Sequence, residues 1–153
     1  MNLGQDTHIV PVLAPVSTTA AVTTDVVGLK EYEEIEFVVA VGALAVNLTV
    51  KLTESTSTTA SGTDVAGKYR LSSAVGTDSM GAVTTLASTG VVLTASTDNN
   101  KMLLIDVDPA TLTDGYPYVF LTLTPASASA CLVSAVALLK PRYPKAVQIS
   151  AVD

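Results

Sequence analysis

Apolar and polar positions alternate most clearly between Glu34 and Thr53. Ile35, Phe37, Val39 and Val41 alternate with Glu34, Glu36, Val38 and Ala40; Val46, Leu48, Val50 and Leu52 alternate with Asn47, Thr49, Lys51 and Thr53. Successive side chains of a strand point to opposite faces, so each run sets a row of large apolar groups against a mainly small or polar row. Two such runs joined by a Gly-containing link predict an antiparallel hairpin.

The same pattern extends along the chain. Met1 to Pro15 reads as an extended arm, with Ile9, Val10, Val12 and Leu13 punctuated by Pro11 and Pro15. Proline lacks a backbone donor and is confined to strand edges or irregular segments, so the arm either forms an edge of its own domain or reaches onto a neighbouring subunit. Glu54 to Gly67 is rich in Ser, Thr and Gly without an apolar row, and predicts a long exposed loop. Short strands are expected at Lys68 to Leu71 and Val83 to Leu86. Gly90 to Thr97 and Lys101 to Asp108 flank the turn Asp98-Asn99-Asn100 and predict a second hairpin, with Leu103, Ile105 and Val107 on one face. Asp108 is placed to cap a helical turn beginning at Pro109. Tyr116 to Thr124 sends Val119, Leu121 and Leu123 one way, and Ala130 to Leu139 is the last strong strand. The tail from Lys140 to Asp153, with two prolines, is expected to lie extended on the surface.

About eight strands separated by regular turn signals predict one all-β domain over residues 1–153: an antiparallel β-sandwich, jelly-roll-like, with extended terminal arms at 1–15 and 140–153. Composition agrees. Val (22) and Thr (21) are the commonest residues, and both suit a pleated, half-buried surface.

Charge narrows the function classes. Only 14% of residues are charged and the formal net charge is −6, which argues against nucleic-acid binding, since that needs a clustered basic surface. The opening residues lack a basic region followed by an apolar segment, and no apolar run approaches spanning length. The expected chain is made in the cytoplasm and does not enter a membrane.

Candidate chemistry is sparse. The single His8 would have to fold back onto a nucleophile to form a catalytic site, and with the single Cys131 it cannot supply a four-ligand zinc site. Cys131 lies in the apolar run ACLVSAVALL and reads as a small buried hydrophobe. The KEYEEIE cluster could attract a cation, but alternation is expected to send neighbouring Glu residues to opposite faces. Asp106 and Asp108 share a strand face, yet Asp108 is better placed as a cap. There is no phosphate-binding Gly-rich loop, and Asn47-Leu48-Thr49 falls mid-strand, where a glycosylation sequon has no use. The expectation is no enzyme, no cofactor and no metal.

Three stretches together resemble small head decoration, or cement, proteins of tailed bacteriophages: VPVLAPVSTTAAVTTDVVGLKEYEEIEFVVAVGALA, VNLTVKLTES, and DGYPYVFLTLTPASASACLVSAVALLKPRY. The residues carrying the pattern are Asp25, Leu29, Lys30, Tyr32, Phe37, Gly42, Pro141, Arg142 and Tyr143, all fold markers. The resemblance implies a virion structural protein that binds the outside of an assembled capsid, often as a homotrimer, with the major capsid protein as partner. The arms then supply the candidate contacts: Ile9, Val10, Val12 and Leu13 from one end, Arg142 and Tyr143 from the other. Other phage virion parts, such as a tail or head-fibre protein, are the nearest alternative. A carbohydrate- or cell-surface-binding β-sandwich is a third, weakened by the absence of Trp.

Overall fold

The structure, a computed structural model, describes residues 6–143 and 150–152. Its strands in chain order are β1 (His8–Thr18), β2 (Val22–Thr23), β3 (Val27–Gly28), β4 (Tyr32–Leu44), β5 (Leu48–Ser55), β6 (Thr63–Val65), β7 (Gly67–Leu71), β8 (Thr84–Leu86), β9 (Val91–Leu93), β10 (Met102–Val107), β11 (Tyr118–Pro125) and β12 (Cys131–Pro141). One 3-10 turn covers Pro109–Thr111, and Asp108 caps it as expected, its Oδ1 accepting from the Ala110 N–H at 2.9 Å.

The first sheet runs β1-β12-β4-β10-β7-β8. The second runs β2-β11-β5-β6, with β3 also on β11 and β9 also on β5. Leaving aside the β6–β8 excursion, successive strands cross from sheet to sheet except at β5 and β9, which pair with each other, so β1-β12-β4-β10 faces β2/β3-β11-β5-β9. That order is a jelly roll, and every pairing is antiparallel.

The alternating rows face inward as their period requires. Ile35, Phe37, Val39 and Val41 of β4 are buried, and so are Leu48, Val50 and Leu52 of β5, Leu103, Ile105 and Val107 of β10, and Val119, Leu121 and Leu123 of β11. They form one apolar cluster spanning both sheets. At roughly 1.5–3 kcal/mol for each fully buried large aliphatic side chain, this cluster is the main force closing the sandwich.

The partners of these strands differ from the expected ones. The stretch Glu34 to Thr53 is not a hairpin: β4 bonds to β12 and β10, whereas β5 lies in the other sheet against β11, β6 and β9. Their apolar rows meet across the core instead of lying side by side, and residues 45–47 bridge the sheets. The second expected hairpin fails in the same way, because β9 pairs with β5 and β10 with β4. The turn between them is nonetheless built from the expected residues. Asp98 Oδ2 accepts from the Thr94 N–H (2.8 Å), Asn99 Oδ1 from the Leu44 N–H (2.8 Å), and Asn100 holds a left-handed φ of 56°.

A real hairpin occurs where a loop was expected. β6 folds back on β5, pairing Leu52 with Val65 and Glu54 with Thr63, so residues 54 and 55 are strand and only 56–62 form the tip. Glu54 continues the inward row of β5 and is 2% exposed, with its Oε2 accepting from the Thr113 N–H at 2.9 Å.

Of the two fates open to the N-terminal segment, the edge strand is observed. β1 bonds along β12 from His8 to Thr18, with register shifts around Leu13, and Pro11 and Pro15 are tolerated because one side of β1 is the edge of the sheet. Residues 1–5 of the expected arm, and 144–149 and 153 of the expected tail, lie outside the described residues. The described end of the tail packs down: the Gly28 N–H donates to the Ala151 carbonyl (2.8 Å), and Val152 bridges to Val27.

Candidate functional site

His8 sits at the start of β1, and its Nδ1 lies 2.6 Å from the Tyr32 hydroxyl. Burial lowers the pKa of His8; burial, then the nearby Glu31, raises that of Tyr32. The pair joins the sheet edge to β4. Cys131 is buried, its Sγ 3.6 Å from the Val46 carbonyl oxygen, as a structural thiol would be.

The glutamate cluster is less dispersed than alternation implies. A register irregularity where β12 meets the start of β4 leaves both Glu33 and Glu34 exposed, each 3.5 Å from Lys140 Nζ. The two carboxylates raise the Lys140 pKa. Beside them Glu36 pairs directly with Asp106 across β4 and β10. Its pKa is raised by burial and by Asp106, with Arg70 partly offsetting. These groups line an open groove of about 1040 Å³, with Asp6, Asp108, Lys68 and the flanking Leu138. Among the described residues no three His, Cys, Asp or Glu side chains are grouped to hold a metal ion.

The six candidate contact residues separate sharply. Val10 (6% exposed) and Val12 (2%) are buried in the chain's own core, and Leu13 packs against that core. Val10 and Val12 therefore serve the fold, and Leu13 is half-buried beside them. Arg142 is exposed but anchored at its base: its N–H donates to the Glu31 carbonyl and its Nε to the Tyr32 carbonyl (2.9 and 3.2 Å). Ile9 (45%) and Tyr143 (76%) are open to solvent.

Ile9 belongs to a larger feature that alternation obscured. On the outer face of the first sheet, Pro11, Val136, Val38 and Leu104 are cross-strand partners in one row across β1, β12, β4 and β10. Toward one end of the face stand Ser134, Ala40 and Met102, then Leu132, which lies over Gly42. A Cβ at Gly42 would approach Leu132 Cδ2 to 2.8 Å. Toward the other end stand Ile9, Leu138, Glu36 and Asp106. Leu132 and Met102 are well exposed. An antiparallel sheet with one solvated face ordinarily puts polar groups there. The sequence signal was present in the near-continuous apolar run of β12 and in Val38 and Ala40 of β4, positions a water-facing strand would give to Thr, Lys or Glu.

No family model matches this sequence, and no curated protein matches it. Among solved structures the chain is similar to one titled "Crystal structure of SPBc2 prophage-derived protein YomS". The identity is 13%, the match covers 87% of this chain and 93% of that one, and the TM-score is 0.43. A similarity of that size does not carry a function from one chain to the other.

Proposed function

We propose that this chain is a non-enzymatic structural protein of a phage particle, one that binds the outside of the capsid and stabilises it as a decoration protein. The observation that carries the reading is the apolar row Pro11-Val136-Val38-Leu104, four strands wide, on a face turned away from the core. A surface of this kind is built to be covered, and exposed contiguous apolar patches mark protein interaction sites. The sequence resemblance supplies the kind of assembly: a shell of repeated subunits, the major capsid protein as partner, and a homotrimer as the bound unit. The protein is then made in the host cytoplasm and resides on the capsid surface. Binding only the assembled lattice stabilises it by mass action.

The test is direct. The purified protein is mixed with expanded empty shells of its own phage and sedimented, and the heat resistance of the shells is measured. The protein is expected to pellet with the shells and to raise the temperature at which they break; an unbound protein and unchanged shells would sink the reading. Sedimentation velocity on the free protein checks the expected trimer.

A further inference from the structure

We propose that His8 and Tyr32 form a proton-sensitive clasp on the start of β1: neutral His8 holds the edge strand over the core, and protonation of His8 in mild acid loosens the first residues of the strand while the sandwich stays folded. The inference stands apart from the decoration reading and rests on how the edge is fastened. Among the described residues β1 has a strand neighbour on one side only. His8, the single histidine of the chain, is its first residue. It lies opposite the buried Leu139 and shares a face with the buried Val10, so its ring turns toward the core. There it meets Tyr32: Nδ1 is 2.6 Å from the hydroxyl, and the ring centres are 5.9 Å apart. Tyr32 is itself well fixed. It is 4% exposed, its N–H donates to the Leu29 carbonyl, and its carbonyl accepts from Arg142 Nε. A strand end held by one ladder is thus tied to a side chain that the core immobilises.

The tie is sensitive to a proton because of its direction. A neutral imidazole whose proton sits on Nε2 accepts from the phenol at Nδ1. A protonated imidazole donates from both nitrogens, so the phenol hydrogen loses its acceptor and a charge is left against the apolar cluster. The neighbouring charges do not remove that cost. At the start of β4 the exposed Glu31 favours the cation, and past the end of β12 the exposed Arg142 opposes it. Glu33 and Glu34 pair with Lys140 on the solvent side. Asp6 is exposed ahead of His8, and Asp25 and Lys30, on the stretch that carries β3, are exposed too. Burial prevails and lowers the His8 pKa. With a lowered value the clasp is fully formed above the unfolded pKa, near 6.5, and weakens as the pH falls from there through the folded value. That window lies above the ordinary carboxylate range, and histidine is the side chain whose ordinary value falls in it.

The experiment follows amide hydrogen exchange of the full chain at about pH 7.5 and about pH 5.5, corrected for the intrinsic pH dependence of exchange, alongside an NMR titration of the His8 ring protons. The variants are His8→Gln, which cannot titrate in this range, and Tyr32→Phe, which keeps the buried ring and removes the hydroxyl. Melting curves check that both fold. The His8 ring is expected to titrate below the ordinary 6.5. Between the two pH values the protection of residues 8–13 should fall by about threefold or more, while that of residues 118–125 in the core strand β11 holds. His8→Gln should abolish the fall. Tyr32→Phe should lower the protection of residues 8–13 already at the higher pH. A His8 that titrates at or above 6.5 overturns the inference, and so does a parent in which protection does not fall. A fall that persists in His8→Gln, or that extends equally to β11, assigns the effect to other groups and overturns it too. Parent-like protection in Tyr32→Phe at the higher pH would show that the hydroxyl holds nothing, with the same result.

Discussion

The outer faces of the two sheets are built to different rules, although both sheets close over one core. On the second sheet Thr23, Thr122 and Lys51 are cross-strand partners, and Thr124 lies beside Thr49. Lys51 reaches Asp64 at 2.8 Å and the Thr53 hydroxyl donates to the same carboxylate at 2.9 Å, so this face satisfies its own polar groups. On the first sheet the corresponding row is Pro11, Val136, Val38 and Leu104, ended by Arg70 on β7, and beside it Glu36 faces Asp106, which has Lys68 on its other side. The same alternation thus ends in a mainly polar face on one side and a mainly aliphatic one on the other. What distinguishes them is the balance of outward residues: Thr and Lys predominate on the second sheet, although Val92 stands exposed beside Thr49, and aliphatic residues predominate on the first.

The comparison breaks most visibly if the first face is in fact covered within the folded chain. Phe37 and Val38 are neighbours on β4 pointing opposite ways. Phe37 is fully buried, so Phe37→Ala is expected to cost about 3–5 kcal/mol. Val38→Thr, on the outer face, should cost at most about 1 kcal/mol. Urea denaturation with an unchanged slope measures both; comparable losses would mean that Val38 is core and the open face an illusion. Glu54→Ala is expected to fall between them, at about 1–3 kcal/mol, because it removes the buried carboxylate that accepts from the Thr113 N–H. Glu54→Gln keeps an acceptor and should recover most of that loss. Failure of the glutamine to recover it would mean that the carboxylate charge itself matters at the rim of the core.

Faces were legible in the sequence and neighbours were not. A period of two assigns Ile35, Phe37 and Val39 to one side of β4 and Leu48, Val50 and Leu52 to one side of β5, and the structure buries all of them. It cannot say whether the two rows lie side by side or face each other. The link is residues 45–47, and three extended residues span about 10 Å, the separation of two packed sheets. A hairpin and a bridge between sheets therefore need the same length of chain. The short strands β6 and β8 have no periodicity of their own and exist through pairing with β5 and β7. Val10 and Val12 were assigned to the wrong side for a related reason. Proline excludes a central position but not an edge, so Val10 and Val12 complete the core instead of leaving it. The outer apolar row was spread over four separate segments of sequence, and only the register assembled it.

The smallest effect gives the sharpest comparison, because one kind of substitution should act with opposite signs on the two faces. The hydrogen bond from Lys51, followed by that from Thr53, lowers the pKa of Asp64. A lowered carboxylate contributes stability above its unfolded pKa and loses it as the pH falls through the folded value. Burial and Asp106 raise the pKa of Glu36. A raised carboxylate does the reverse: its cost appears as the pH rises through the unfolded value, near 4.3, and is complete above the folded one. At neutral pH, then, Asp64→Asn should lower stability and Glu36→Gln should raise it, each by roughly a few tenths of a kcal/mol because both sites are partly solvated. Both differences should vanish well below the carboxylate range. Denaturation midpoints at pH 7 and pH 2 decide it, and equal signs at pH 7 would mean that the two faces are equally finished. If the signs are opposite, Glu36 is retained at a cost to the isolated fold. The shell-binding assay can then ask whether the more stable Glu36→Gln protein is the weaker binder, a trade that a residue kept for a partner should show.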